Sequence, residues 1–202
     1  RGGANDLSLW LQNGDATLAN PADKDLLDKQ ATRSIGNKKA SHNGRAWEDC
    51  IRRDLATIAL DPYLAGKIVI IKTDPPSRTV YIKGKATIIY EKEGPPDWMG
   101  VAYGIPVALE TKHVGHGPTF GVTMPSAKAN GNLHQFVHLQ KIAKAAPQAL
   151  VGYYINWEQA GERRFHPLAV FSDKYKTRRL DGYIVSDLID LCTRFCRKNP
   201  AT

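Results

Sequence analysis

The sequence is poor in cysteine and has no long hydrophobic run. Its three cysteines, Cys50, Cys192 and Cys196, are too few and too unevenly spaced for a disulfide framework. The four-residue spacing of the last two favours packing on a helix over a metal site. No apolar stretch approaches the roughly 20 residues that cross a bilayer, and no signal peptide is recognisable. We therefore expect no membrane partner and a cytoplasmic location.

Acidic residues are outnumbered by basic ones. The chain has 202 residues, with 28 Lys and Arg against 20 Asp and Glu, which gives a net charge of +8. Such a balance favours an anionic partner, most commonly nucleic acid, although a solubilising surface is the alternative. The length suits one domain with a full core. We predict an N-terminal extension over residues 1–36 and a single domain over residues 37–202.

The spacing of apolar residues predicts the main helices and strands. The helix expected from residue 44 to about residue 60 should bury Trp47, Ile51, Leu55 and Ile58 on one face. Further helices are predicted over residues 132–145 and 182–197. Strands are predicted over residues 66–72, 105–112, 150–157 and 165–171, and residues 79–90 are rich in β-forming side chains.

One stretch brings acidic and basic side chains together. Along a strand over residues 105–112, Glu110 and Lys112 lie on the same face, about 7 Å apart along the backbone. Residues 103–104 (Tyr-Gly) favour a tight turn, which would fold the preceding residues back antiparallel and bring Asp97 close to Glu110.

Two carboxylates beside a lysine can hold a hard divalent cation and position a water against a phosphate. This arrangement is typical of a nuclease site. The alternative is an ordinary solvated sheet face, on which an acid and a lysine two residues apart are common.

Several spaced elements resemble one family. The order is a helix opening at Asn43 with Glu48, a basic β-rich segment, Pro96-Asp97, Glu110-Thr111-Lys112, and His134-Gln135 on a later helix. It resembles the RecU family of Holliday junction resolvases, within the PD-(D/E)xK nuclease superfamily, over roughly residues 40–170. The chain departs from the family in having a proline, rather than threonine, before the aspartate.

The resemblance implies a restriction-endonuclease-like α/β fold. A mixed β-sheet would be flanked by helices, and residues 73–94 would form a protruding β-arm, or stalk. The implied catalytic residues are Glu48, Asp97, Glu110, Lys112 and Gln135. Asp97, Glu110 and the backbone carbonyl of Thr111 would bind Mg²⁺, with Mn²⁺ as a possible substitute.

The implied function is resolution of four-way DNA junctions by paired, symmetric, metal-dependent cuts, carried out by a homodimer with two active sites. Two other functions remain open: a PD-(D/E)xK endonuclease acting on other duplex or branched DNA, and a non-catalytic junction-binding protein. The residues expected to contact DNA are Lys38, Lys39, Arg45, Arg78, Lys83, Lys85 and Lys128.

Overall fold

The computed structural model describes residues 43–74, 77–82, 85–90, 94–124 and 132–197, which belong to one compact unit. For residues 77–82 and 85–90 it describes the backbone alone. The predicted extension over residues 1–36 lies outside these ranges.

The strands of the described residues form three sheets. In chain order they are β1 Ile68–Lys72, β2 Ser77–Ile82, β3 Lys85–Tyr90, β4 Trp98–Ala102, β5 Ile105–Val114, β6 Thr119–Gly121, β7 Leu150–Trp157, β8 Glu162–Pro167, β9 Lys176–Arg178 and β10 Tyr183–Val185. The main sheet has six strands in the order β1-β4-β5-β7-β8-β10. Only β5 and β7 pair in parallel there, so the sheet is mixed.

Three helices flank this mixed sheet. Helix α1 is described over residues 43–60, α2 spans Leu133–Ala145 and α3 spans Leu188–Cys196. Helices α1 and α3 share one buried cluster with the sheet, and α2 packs in a second cluster with β5 and β7. Since side chains alternate along a strand, the two clusters occupy opposite faces of the sheet.

The apolar stripe of α1 forms part of the first cluster. Trp47, Ile51 and Ile58 are 1–3% exposed, and Leu55 packs against them partly buried. The prediction for this helix is therefore confirmed. No helix among the described residues combines the length and the apolar character that a membrane crossing requires.

Two pairs of strands form separate two-stranded sheets. β2 and β3 pair antiparallel with each other, from Ser77 opposite Tyr90 to Ile82 opposite Lys85. They fall within the segment expected to form the stalk. β6 pairs with β9, a pairing that the sequence did not predict because both strands are only three residues long.

The C-terminal helix prediction was wrong at its beginning. Residues 183–185 form β10, paired with β8, and α3 begins only at Leu188. The side chain of Asp187 accepts a hydrogen bond from the Asp190 amide at 2.7 Å, which caps α3 and sets its first turn. The strand predicted over residues 165–171 also differs, because β8 runs from Glu162 to Pro167 and a short 3-10 turn follows.

Candidate active site

A hairpin of β4 and β5 builds the site. Tyr103 and Gly104 link the strands with φ of 51° and 81°, and positive φ at both central residues is typical of the type I′ turn that suits a two-residue hairpin. The register pairs Trp98 with Leu109, so Asp97 lies beside Glu110. The predicted turn and the approach of Asp97 to Glu110 are confirmed.

Asp97 immediately precedes β4, at the point where the edge of β5 extends beyond its pairing with β4. Its backbone carbonyl accepts a hydrogen bond from the Thr73 amide at 2.9 Å. Its carboxylate Oδ2 accepts hydrogen bonds from both the backbone N–H and the side-chain hydroxyl of Thr111, each at 2.8 Å. The side chain of Asp97 thus replaces the missing strand as the partner of the β5 edge, and its other carboxylate oxygen, Oδ1, is not used in these bonds.

Glu110 is almost completely buried, at 1% exposure. Burial raises the pKa of its carboxyl from 4.5 to about 7; Lys112 opposes the rise and Asp97 adds to it. Its Oε1 accepts a hydrogen bond from Lys112 Nζ at 2.8 Å, and its Oε2 lies 3.4 Å from the backbone N of Asp97. Asp97, Glu110 and Lys112 therefore form one connected group.

Glu48 forms a different ion pair. The Nζ of Lys72, on β1, contacts the carboxylate of Glu48. The side chain of Lys72 is 28% exposed and that of Glu48 is 34% exposed. Lys72 is paired across the sheet with Trp98, a member of the α1 cluster, so Lys72 and Glu48 lie on the α1 face. Glu110 shares the opposite face with Ala108. Glu48 is close to the same corner of the sheet, but its part in the site stays a prediction.

Helix α2 covers the face that carries Glu110. Its residue Gln135 has a buried Oε1 with no hydrogen-bond partner among the described residues. Next to it, Phe136 stacks on the ring of Tyr153, with ring centroids 6.5 Å apart. His138 Nδ1 lies 3.1 Å from the backbone oxygen of Gly94, which ties α2 to the segment leading to Asp97.

Tyr153 is the residue of the site that the sequence did not reveal. It lies on β7 directly opposite Glu110 in the parallel register and is 0% exposed. Its hydroxyl is buried without a hydrogen-bond partner in the described part of the chain. A buried hydroxyl left unpaired lowers the stability of the folded protein by about 1–3 kcal/mol, so a polar group near Tyr153 would be stabilising.

The donor atoms suit a hard cation. Thr111 holds Oδ2 of Asp97 and leaves Oδ1 outside these bonds. Both oxygens of Glu110 accept hydrogen bonds, Oε1 from Lys112 at 2.8 Å and Oε2 from the Asp97 amide at the longer distance of 3.4 Å. Because the N–H and C=O of one residue in an extended strand point to the same side, the carbonyl of Thr111 faces the edge where Asp97 lies. Mg²⁺ is commonly bound by one or two carboxylates and several waters, so these oxygens fit it. The described ranges contain no group of three or more His, Cys, Asp and Glu side chains arranged for a metal.

Most of the residues expected to contact DNA cannot be compared with the structure. Arg45 is exposed on α1. Arg78 and Lys85 lie on β2 and β3, of which only the backbone is described. The remaining predicted contacts lie outside the described residues: Lys38, Lys39, Lys83 and Lys128.

The chain matches no protein-family model, and a search of curated proteins finds no match.

Proposed function

We propose that this protein is a metal-dependent endodeoxyribonuclease that resolves four-way DNA junctions. The observation that carries the proposal is the connected group of Asp97, Glu110 and Lys112 at the end of the β4–β5 hairpin. Two acids beside a lysine are side chains that can serve metal-assisted phosphodiester hydrolysis. The net charge of +8 favours a nucleic-acid substrate.

Each residue has a distinct task in this proposal. Asp97, Glu110 and the Thr111 carbonyl would hold Mg²⁺ or Mn²⁺. Such a cation would activate a bound water as the nucleophile and neutralise charge on the phosphoryl oxygens. Lys112, 22% exposed, can turn from Glu110 toward the phosphate and stabilise the charge that develops there. Glu48 is proposed to support a second cation or the water shell of the first, and Gln135 to hold the site or the phosphate by hydrogen bonds.

Specificity for a junction is proposed to come from shape and charge. The hairpin of β2 and β3 would enter the open centre of the junction as a stalk, and basic residues would contact the phosphates. Two symmetric cuts require two active sites, so the working unit would be a C2 homodimer. The restriction-endonuclease-like fold belongs to the same proposal, and a mixed sheet with helices on both faces is compatible with it.

The test is cleavage of a labelled four-way junction against a linear duplex of the same sequence, with Mg²⁺ or with EDTA. We expect paired symmetric nicks on the junction with Mg²⁺ alone, lost in Asp97→Asn. Asp173→Asn is a matched control, because this carboxylate is exposed in a turn. It should cut like the wild type.

Other outcomes would point to the alternative functions. Equal cutting of the linear duplex would retain the active site and discard junction specificity. Tight junction binding without nicks in any divalent cation would leave a binding protein. Cleavage that survives Asp97→Asn would refute the assigned site.

A further inference from the structure

The ring of Tyr153 packs among other aromatic rings and carries a buried hydroxyl. The rings of Phe171 and Phe120 lie 5.1 and 5.3 Å from its own, between centroids, and Phe136 stacks at 6.5 Å. These contacts leave the tyrosine side chain little freedom to turn toward solvent. Its hydroxyl must therefore find a partner within the site or remain unpaired.

The charged groups that act on this hydroxyl are acids. Burial raises the pKa of Tyr153, and the charges of Glu110 and then Asp97 raise it further. The hydroxyl therefore keeps its proton and is available as a hydrogen-bond donor to a carboxylate. Glu110 is its direct cross-strand neighbour on the same sheet face. A carboxylate oxygen accepts several hydrogen bonds, and the one from Lys112 to Oε1 leaves room for another.

We propose that Tyr153 is a positioning residue whose hydroxyl donates a hydrogen bond to the carboxylate of Glu110 and fixes it for cation binding. This inference rests on the proposed function, since it concerns the same site. The bond would form when a divalent cation binds Glu110, because the cation repels the ammonium of Lys112 and Oε1 then loses the donor that holds it. Tyr153 would hold one oxygen of the Glu110 carboxylate in place while the other binds the metal.

The test removes a single oxygen atom. Tyr153→Phe keeps the ring packing, and Tyr154→Phe is the matched control. Tyr154 is equally buried, and its hydroxyl also has no partner in the described ranges. It lies in the other core cluster, with its ring 4.9 Å from that of Trp47. The two variants therefore make the same chemical change on opposite faces of the sheet.

The main readout is Mg²⁺ affinity without DNA, from the thermal unfolding midpoint in EDTA and along a Mg²⁺ titration. In EDTA, Tyr153→Phe should unfold no lower than the wild type, because it removes an unpaired buried hydroxyl. Its Mg²⁺ affinity should fall about tenfold or more, as is typical when a group that orients a metal ligand is removed. Tyr154→Phe should keep the wild-type affinity. The Mg²⁺ concentration for half-maximal junction cleavage should rise in parallel with the affinity loss.

Two results would overturn the role of Tyr153 alone. One is a wild-type Mg²⁺ affinity in Tyr153→Phe; the other is an equal loss in both variants, which would indicate a general packing effect. The proposed function fails in a different way. If the wild type and Asp97→Asn respond identically to Mg²⁺ and neither cuts DNA, the site itself is refuted and the role of Tyr153 with it.

Discussion

Replacing Glu110 by Gln tests whether the candidate site destabilises the folded protein. The side chain is 1% exposed, and its burial is the main reason why its pKa rises from 4.5 to about 7. Gln has nearly the same shape and no charge to bury. The substitution therefore removes the cost of ionising a carboxyl in the protein interior and leaves the backbone of β5 unchanged.

The sign of the effect follows from proton binding. The folded chain holds the Glu110 proton more tightly than the unfolded chain, so between pH 4.5 and about pH 7 the folded state carries more protons. The contribution of this group to stability therefore falls as pH rises through that window. A pKa shift of this size corresponds to about 3 kcal/mol. Because the pKa of about 7 already includes the attraction to Lys112, we expect Glu110→Gln to be about 2–3 kcal/mol more stable than the wild type at pH 8.

The assay is urea unfolding in EDTA at pH 4.5, 6, 7 and 8, with the variant compared with the wild type at each pH. The titrations of groups that do not interact with Glu110 cancel in this difference. Glu162→Gln is the control of opposite sign, because hydrogen bonds from Arg164 and Arg179 lower the pKa of Glu162. That variant should lose stability at neutral pH, and its deficit should stay constant from pH 6 to pH 8, because the contribution of Glu162 is lost only as pH falls below about 4.5. A Glu110→Gln difference that is constant with pH would refute the reasoning.

Three further predictions concern the scaffold. A Cβ at Gly100 would collide with the backbone of β1, so Gly100→Ala should destabilise the protein by about 1–3 kcal/mol in urea unfolding, whereas Gly66→Ala, with open space around it, should not. Burial lowers the pKa of His166 to about 4, and Trp157 Nε1 donates to its Nε2 at 3.3 Å. We expect ¹⁵N NMR to show a neutral Nδ1–H tautomer at pH 6, and stability to be lost as pH falls from 6.5 toward 4. Of the three thiols, Cys50 is the one that is not buried and should react fastest with a thiol reagent under native conditions, since the other two are buried and their pKa values are raised.

Local signals in the sequence were sufficient for the β4–β5 hairpin. The turn at residues 103–104 fixes which residues face each other, because a two-residue loop allows one register. Once the register is known, the approach of Asp97 to Glu110 follows without any tertiary information. The inward face of α1 was equally predictable, because its apolar residues recur with the period of a helix.

Long-range pairing could not be predicted in the same way. Tyr153 lies opposite Glu110 only because β5 and β7 pair in parallel with this register. In the sequence, 42 residues lie between the two positions. A shift of one residue would place Tyr154 there and send the hydroxyl of Tyr153 to the other face. The misplaced start of the last helix has a local cause. The run Tyr183-Ile184-Val185 favours a strand, and the Ser186-Asp187 pair before Leu188 is a helix-cap signal that the helical period of the following residues obscured.

Asp97 illustrates why a candidate catalytic residue can also be structural. β4 begins at Trp98, opposite Leu109, so the N–H of Thr111 on this edge of β5 has no backbone partner in β4 and donates to Asp97 Oδ2 instead. The geometry that presents Oδ1 to a cation is therefore produced by the same bond that completes the sheet edge. Asn at this position keeps an oxygen acceptor for Thr111 and loses the charge, whereas Ala loses both. Asp97→Asn is for this reason the variant that separates the chemistry of the site from the stability of the sheet, and a comparison with Asp97→Ala measures how much of the fold depends on the same carboxylate.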